Sequence, residues 1–185
     1  DGAAFRIYDN LATAYEDVRD GDLDVIRTIP AEQVTGAAKD LDGRAGSAPD
    51  STIQFIAFPA FVPEFFKPSV RRAISMAIDR DSIVRSVFHG AQQPARSFVA
   101  PVVTGYRENS CGEACQFDPA EAKRLYTEAE GPATLQISYN DDGGHKAWVE
   151  ATCAQLQANL GVQCTAVAEP HFGDSVAGVA QHLGD

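Results

Sequence analysis

Three groups of residues in this chain are of a type and spacing that could do chemistry. His145 follows Gly143 and Gly144 and opens a helical pattern. Free backbone N–H groups and the positive end of a helix dipole favour an anion at such a place, so an imidazole there can meet a carboxylate. Four cysteines, Cys111, Cys115, Cys153 and Cys164, are an even number, which suits two disulfides and an oxidising compartment. Asp20, Asp22 and Asp24 alternate like the start of a calcium loop, but the glycine at the sixth position and the glutamate at the twelfth are missing.

Other chemistry finds little support. His89, His171 and His182 have no partner at metal-ligand spacing and read as surface residues, so no metal is expected. There is no Gly-x-Ser-x-Gly elbow and no glycine-rich phosphate loop. Cys111 and Cys115 are separated by three residues, where a thiol–disulfide oxidoreductase has two, so redox catalysis stays a distant alternative. The chain reads as a binding module, not an enzyme, with no cofactor. Its net charge of -11 disfavours nucleic acid, and no run is long and apolar enough to span a membrane.

The cysteines are positioned by the elements around them. Cys111 and Cys115 share a Gly-containing loop, and Cys153 and Cys164 fall on a helix and on the strand after it, where a tight turn at Gly161 would bring them together. Of the three connectivities open to four cysteines, 111–115 with 153–164 is favoured. In the alternative, Cys153 and Cys164 are small, buried, reduced hydrophobes.

The remaining pattern alternates strands with helices. Phe5–Tyr8 and Leu23–Ile29 read as strands flanking a helix that starts at Asn10, carries a stripe of Leu11, Ala14, Tyr15 and Val18, and ends at Asp20-Gly21, the size of a βαβ unit. Pro30 starts a short helix through Ala38. Ser51–Phe58, apolar on both faces, reads as a central strand. Val70, Ala73, Ile74, Ala77 and Ile78 form one helical stripe after Pro68, and Asp79 can cap a second helix carrying Ile83, Val84, Val87 and Phe88 up to Gly90. Residues 90–116 are a long irregular segment. Asp118-Pro-Ala-Glu121 reads as a capping box before a stripe of Ala122, Leu125, Tyr126 and Ala129. Thr134–Tyr139 reads as a strand, His145–Asn159 as a helix burying Val149, Cys153, Leu156 and Leu160, Val162–Ala168 as a strand, and Phe172–Ala180 as a last helix. An α/β fold follows, and 185 residues suit a single domain, 1–185.

Residues 68–84, Pro-Ser-Val-Arg-Arg-Ala-Ile-Ser-Met-Ala-Ile-Asp-Arg-Asp-Ser-Ile-Val, resemble the signature of the extracytoplasmic solute-binding proteins of the dipeptide and oligopeptide ABC-transporter family. Phe117–Leu125 and Ile137–Trp148, continuing to Leu160-Gly-Val162, resemble the same family in the expected order, as does the Gly21-Asp-Leu-Asp24 turn. The resemblance implies a periplasmic-binding-protein-like fold of the second type, with a mixed sheet layered with helices. It implies capture of a di- or oligopeptide, or a related small solute, by two-lobe closure outside the membrane and delivery to a permease. It also implies that the chain is most of the second lobe, with the first lobe, a C-terminal return segment and an N-terminal membrane anchor outside it. One lobe offers half a cleft, so weak ligand affinity is expected.

The resemblance also supplies candidate ligand contacts. His145 matches a histidine that faces the peptide carboxylate in some members, and Asn140, which opens the preceding turn, is taken with it. Gln181 matches a position that is often arginine, whose charge glutamine cannot supply, so the ligand can differ from an ordinary oligopeptide. Near residue 59 the family usually has asparagine, and before the helix proline an aspartate; here they are Pro59 and Lys67, which removes an acidic N-cap. The alternatives are an intracellular ligand-sensing domain of a transcriptional regulator, or a binder of nickel, haem or an opine.

Overall fold

The computed structural model describes residues 2–59, 61–141 and 144–170. The expected helix 172–180, Gln181, His171 and His182 lie outside the described residues. The chain divides into two compact units, residues 1–48 with 84–93, and residues 49–83 with 94–185.

The first unit is built on α1 (Leu11–Asp20). Asn10 caps it, its side chain accepting from the Ala12 N–H at 2.8 Å, and Gly21 closes it at φ 89°, a left-handed conformation glycine adopts freely. Tyr15 and Val18 are buried with Ala37 and Leu41, and Leu23, Ile26 and Ile29 pack against that cluster. Leu11 belongs to the expected stripe but is exposed, as it precedes the turn that reaches the core. The expected helix after Pro30 is split into a 3-10 turn (Ala31–Gln33) and a short α2 (Ala37–Asp40).

Neither expected strand of this unit forms. Residues 5–8 make no ladder among the described residues, and Phe5 and Ile7 are almost fully exposed. Residues 23–29 use their apolar side chains at every third position against the core, not at every second as a strand would.

The organising helices are α3 (Pro68–Met76), in the second unit, and α4 (Arg80–Ser86), whose residues 80–83 belong to the second unit and 84–86 to the first. Val70, Ala73, Ile74, Ala77 and Ile78 are all buried, as the stripe requires. The break between the helices is capped as expected, with Asp79 Oδ1 accepting from the Ser82 N–H at 2.9 Å. Lys67 occupies the N-cap of α3 without making a cap bond; its Nζ donates to the Ala129 carbonyl at 2.8 Å. That carbonyl lies just past α5 (Pro119–Glu128), so the lysine that weakens one helix start satisfies the end of another.

Only half of the expected capping box forms. Asp118 accepts from the Glu121 N–H at 3.0 Å, but the Asp118 N–H donates to the Met76 carbonyl, and Glu121 turns to Arg124. Tertiary pairing with α3 takes the donor that Glu121 would have satisfied.

Residues 51–58 are the largest departure. They are extended without ladder partners among the described residues, Phe55 is 75% exposed, and they are not a central strand. Among the described residues, the strands are β1 (Thr134–Asn140) and β2 (Gln163–Glu169), paired parallel from Thr134 opposite Gln163 to Asn140 opposite Glu169. They are joined by α6 (Lys146–Leu160), which ends at Gly161 with φ 77°. Leu135 and Tyr139 of β1 and Val149, Cys153, Leu156 and Leu160 of α6 are buried, so strand and helix share the apolar faces expected of them. The fold class is α/β, with helices layered on a sheet.

Both favoured disulfides are present. Cys111–Cys115 closes the loop carrying a 3-10 turn (Gly112–Cys115), and Cys153–Cys164 ties α6 to β2, with Cα–Cα distances of 5.7 and 5.0 Å. The loop is held to α3 by Ser75 Oγ donating to the Ala114 carbonyl at 2.6 Å and by an Arg72–Glu113 ion pair.

Candidate ligand-binding site

Parallel strands joined through a helix leave one end of the sheet where chain leaves the strands and helix N–H groups are unused. In open α/β sheets that carboxyl end is where ligands sit. Here it is formed by Asn140 and Glu169, which are register partners at the last rung of β1 and β2, and by His145 at the start of α6. Asn140 and Glu169 are half-buried. Two of the expected ligand contacts, Asn140 and His145, therefore lie at this end of the sheet, and Gln181 lies outside the described residues.

His145 is the N-cap of α6, yet its side chain makes no cap bond. Its ring faces Trp148 one turn on, with centroids 5.9 Å apart and planes at 83°, and Trp148 Nε1 donates to His145 Nδ1 at 3.1 Å. The indole is the partner that sequence reasoning missed. The available signal was the spacing: the chain's single tryptophan stands three residues after a histidine that starts a helix.

The scaffold behind this end is fastened by side-chain amides of α6. Gln155 brackets Asp79 between the two organising helices, with Oε1 accepting from the Asp79 N–H at 2.7 Å and Nε2 donating to the Asp79 carbonyl at 3.3 Å. Asn159 Nδ2 donates to the Ala77 carbonyl at 2.8 Å. These bonds fix the helix that carries His145 against the α3–α4 corner.

Elsewhere in the second unit, Arg80 and Arg96 line a small cleft with Asp81 and Phe117. Arg80 donates to the carbonyls of Ser75 and Ile78 and to Ser75 Oγ, and burial, reinforced by Arg96, lowers its pKa. Arg96 pairs with Asp81 at 3.1 Å. Carbonyls at the carboxyl end of α3 already balance the Arg80 charge, so the arginine acts as a helix-end clamp.

Among the described residues no His, Cys, Asp and Glu side chains cluster as a metal site, and no helix is long and apolar enough to cross a membrane.

Helices layered on a parallel strand pair define an α/β class of fold, and solved structures agree on it. The Escherichia coli murein tripeptide binding protein MppA superposes with a TM-score of 0.76 over 90% of this chain at 24% identity, and Burkholderia pseudomallei OppA with 0.74 at 19%. The model of the bacterial extracellular solute-binding proteins, family 5 (middle part), matches residues 1–176, and the chain belongs to that family. It is a family of extracytoplasmic substrate-binding proteins. Relatives include the probable deoxycholate-binding periplasmic protein YgiS of Escherichia coli, 27% identical over 85% of this chain, and the glutathione-binding protein GsiB of Salmonella typhimurium, 31% identical over 73% of it. The chain spans 30% and 26% of the length of those two relatives and 34% of the MppA chain.

Proposed function

We propose that this chain is most of the second lobe of the substrate-binding subunit of an ABC importer. The whole subunit captures a di- or oligopeptide between two lobes and presents the closed form to a membrane permease, held at the membrane by an N-terminal anchor outside this chain. The observation that carries the reading is the family match along 176 residues. The grouping of Asn140 and His145 at the carboxyl end of the β1–β2 pair supports it, because both can hydrogen-bond a peptide's backbone or terminus without reading its side chains.

A second reading has its own support. The relative YgiS, named as a probable deoxycholate-binding protein, matches over 85% of this chain. A carboxylated non-peptide solute would use the same donors.

Calorimetry on this chain, and on a longer protein containing it, with short peptides and with deoxycholate as titrants, tests both readings. The expected result is weak binding by the chain and tight binding of one ligand class by the longer protein. Full-strength affinity in the chain alone would overturn the two-lobe reading, and failure of the longer protein to bind either class would overturn capture of these solutes.

A further inference from the structure

We infer that Trp148 is a positioning residue that holds the proton of His145 on Nε2, so that the imidazole offers its ligand a donor, and the ligand atom it meets is a carboxylate or carbonyl oxygen. The inference rests on the proposed role of His145 in ligand contact.

Indole Nε1–H is a donor only, and a neutral imidazole has one N–H and one lone pair. Since Trp148 Nε1 donates to His145 Nδ1 at 3.1 Å, Nδ1 must carry the lone pair, and the ring proton sits on Nε2. The two rings meet edge to face, with planes at 83°. Trp148 is itself half-buried on α6, where an indole N–H needs a partner. Among the described residues no group is hydrogen-bonded to His145 Nε2.

The choice of residue supports the same role. An N-cap position is best filled by Ser, Thr, Asp or Asn, which are each worth about 1 kcal/mol there. This one is filled by a histidine whose side chain makes no cap bond and takes the indole proton.

Nitrogen-15 NMR on the selectively labelled chain, at a pH where the imidazole is neutral, reads the tautomer directly, with His145 assigned by His145→Gln. The expected spectrum has Nδ1 unprotonated and Nε2 protonated, with no detectable Nδ1–H form. In Trp148→Phe, which keeps an aromatic ring but lacks the donor, the Nδ1–H population rises several-fold. A wild-type ring protonated on Nδ1, or a tautomer ratio unchanged in Trp148→Phe, overturns the inference; the wild-type spectrum decides even if the variant folds poorly. In the longer protein containing this chain, where tight binding is expected, added L-alanyl-L-alanine should move the Nε2 proton downfield, and Trp148→Phe should weaken this binding about two- to tenfold. If the dipeptide binds that longer protein but leaves His145 unmoved, contact between His145 and a peptide fails, while the tautomer ratio in the chain still decides the positioning role of Trp148.

Discussion

The ring of Tyr126 lies against the backbone of Gly131 so closely that a Cβ on that glycine would stand 2.5 Å from Cε1. The phenol hydroxyl reaches past it to donate to the Pro132 carbonyl at 2.7 Å. This contact closes the turn between α5 and β1 and so fixes where the strand leading to Asn140 begins.

Gly131→Ala should therefore destabilise the chain by about 1–3 kcal/mol, the usual cost of overpacking. The substitution tests sterics alone, since Gly131 has no positive φ. Thermal unfolding followed by circular dichroism measures it, and an unchanged midpoint would mean the ring can move aside.

Burial pushes the Tyr126 phenol up to about 12. A folded-state value above the unfolded one stabilises while the unfolded phenol remains protonated, below about pH 10. That contribution is lost as pH rises from there through about 12. Tyr15, raised by burial and then by Asp40, acts in the same sense. Tyr126→Phe should flatten the alkaline fall in stability, as denaturant midpoints across that range would show.

Gln155→Ala removes both bonds to Asp79 and leaves its half-buried N–H without a partner. A loss of about 1–3 kcal/mol is expected. Urea unfolding would measure it, and a neutral result would mean that water replaces the amide.

Replacing both members of Cys153–Cys164 by alanine should cost about 3 kcal/mol, and the same change at Cys111–Cys115 about 2 kcal/mol, since a longer closed loop restrains the unfolded chain more. The sequence separations are 11 and 4. Unfolding of the two double variants under identical conditions gives the order, and a larger loss at 111–115 would show that its contacts with α3 outweigh loop entropy.

The helices were legible because their signals are local. Asn10, Asp79 and Asp118 cap as their types suggest, and Val70, Ala73 and Ile74 repeat at the helical period over the core. Strands depend on a partner that is often distant in the chain, and alternation reveals only that a segment has a face to pair. Leu135, Ile137 and Tyr139 alternate and find β2; Ile53, Phe55 and Ala57 alternate equally well and make no ladder among the described residues. At the candidate site, the two glycines marked the place of His145. Its bond to Trp148 was not read, because a tryptophan at helical spacing usually signals core packing.

The disulfides join neighbours in the order of the chain, Cys111 to Cys115 and Cys153 to Cys164. A polypeptide threaded amino end first through a membrane into an oxidising space would expose each cysteine and its partner before the next pair emerged. Short loops also close at the smallest entropic cost. The native pairing is then the kinetically nearest one, and export can proceed with little call on disulfide reshuffling.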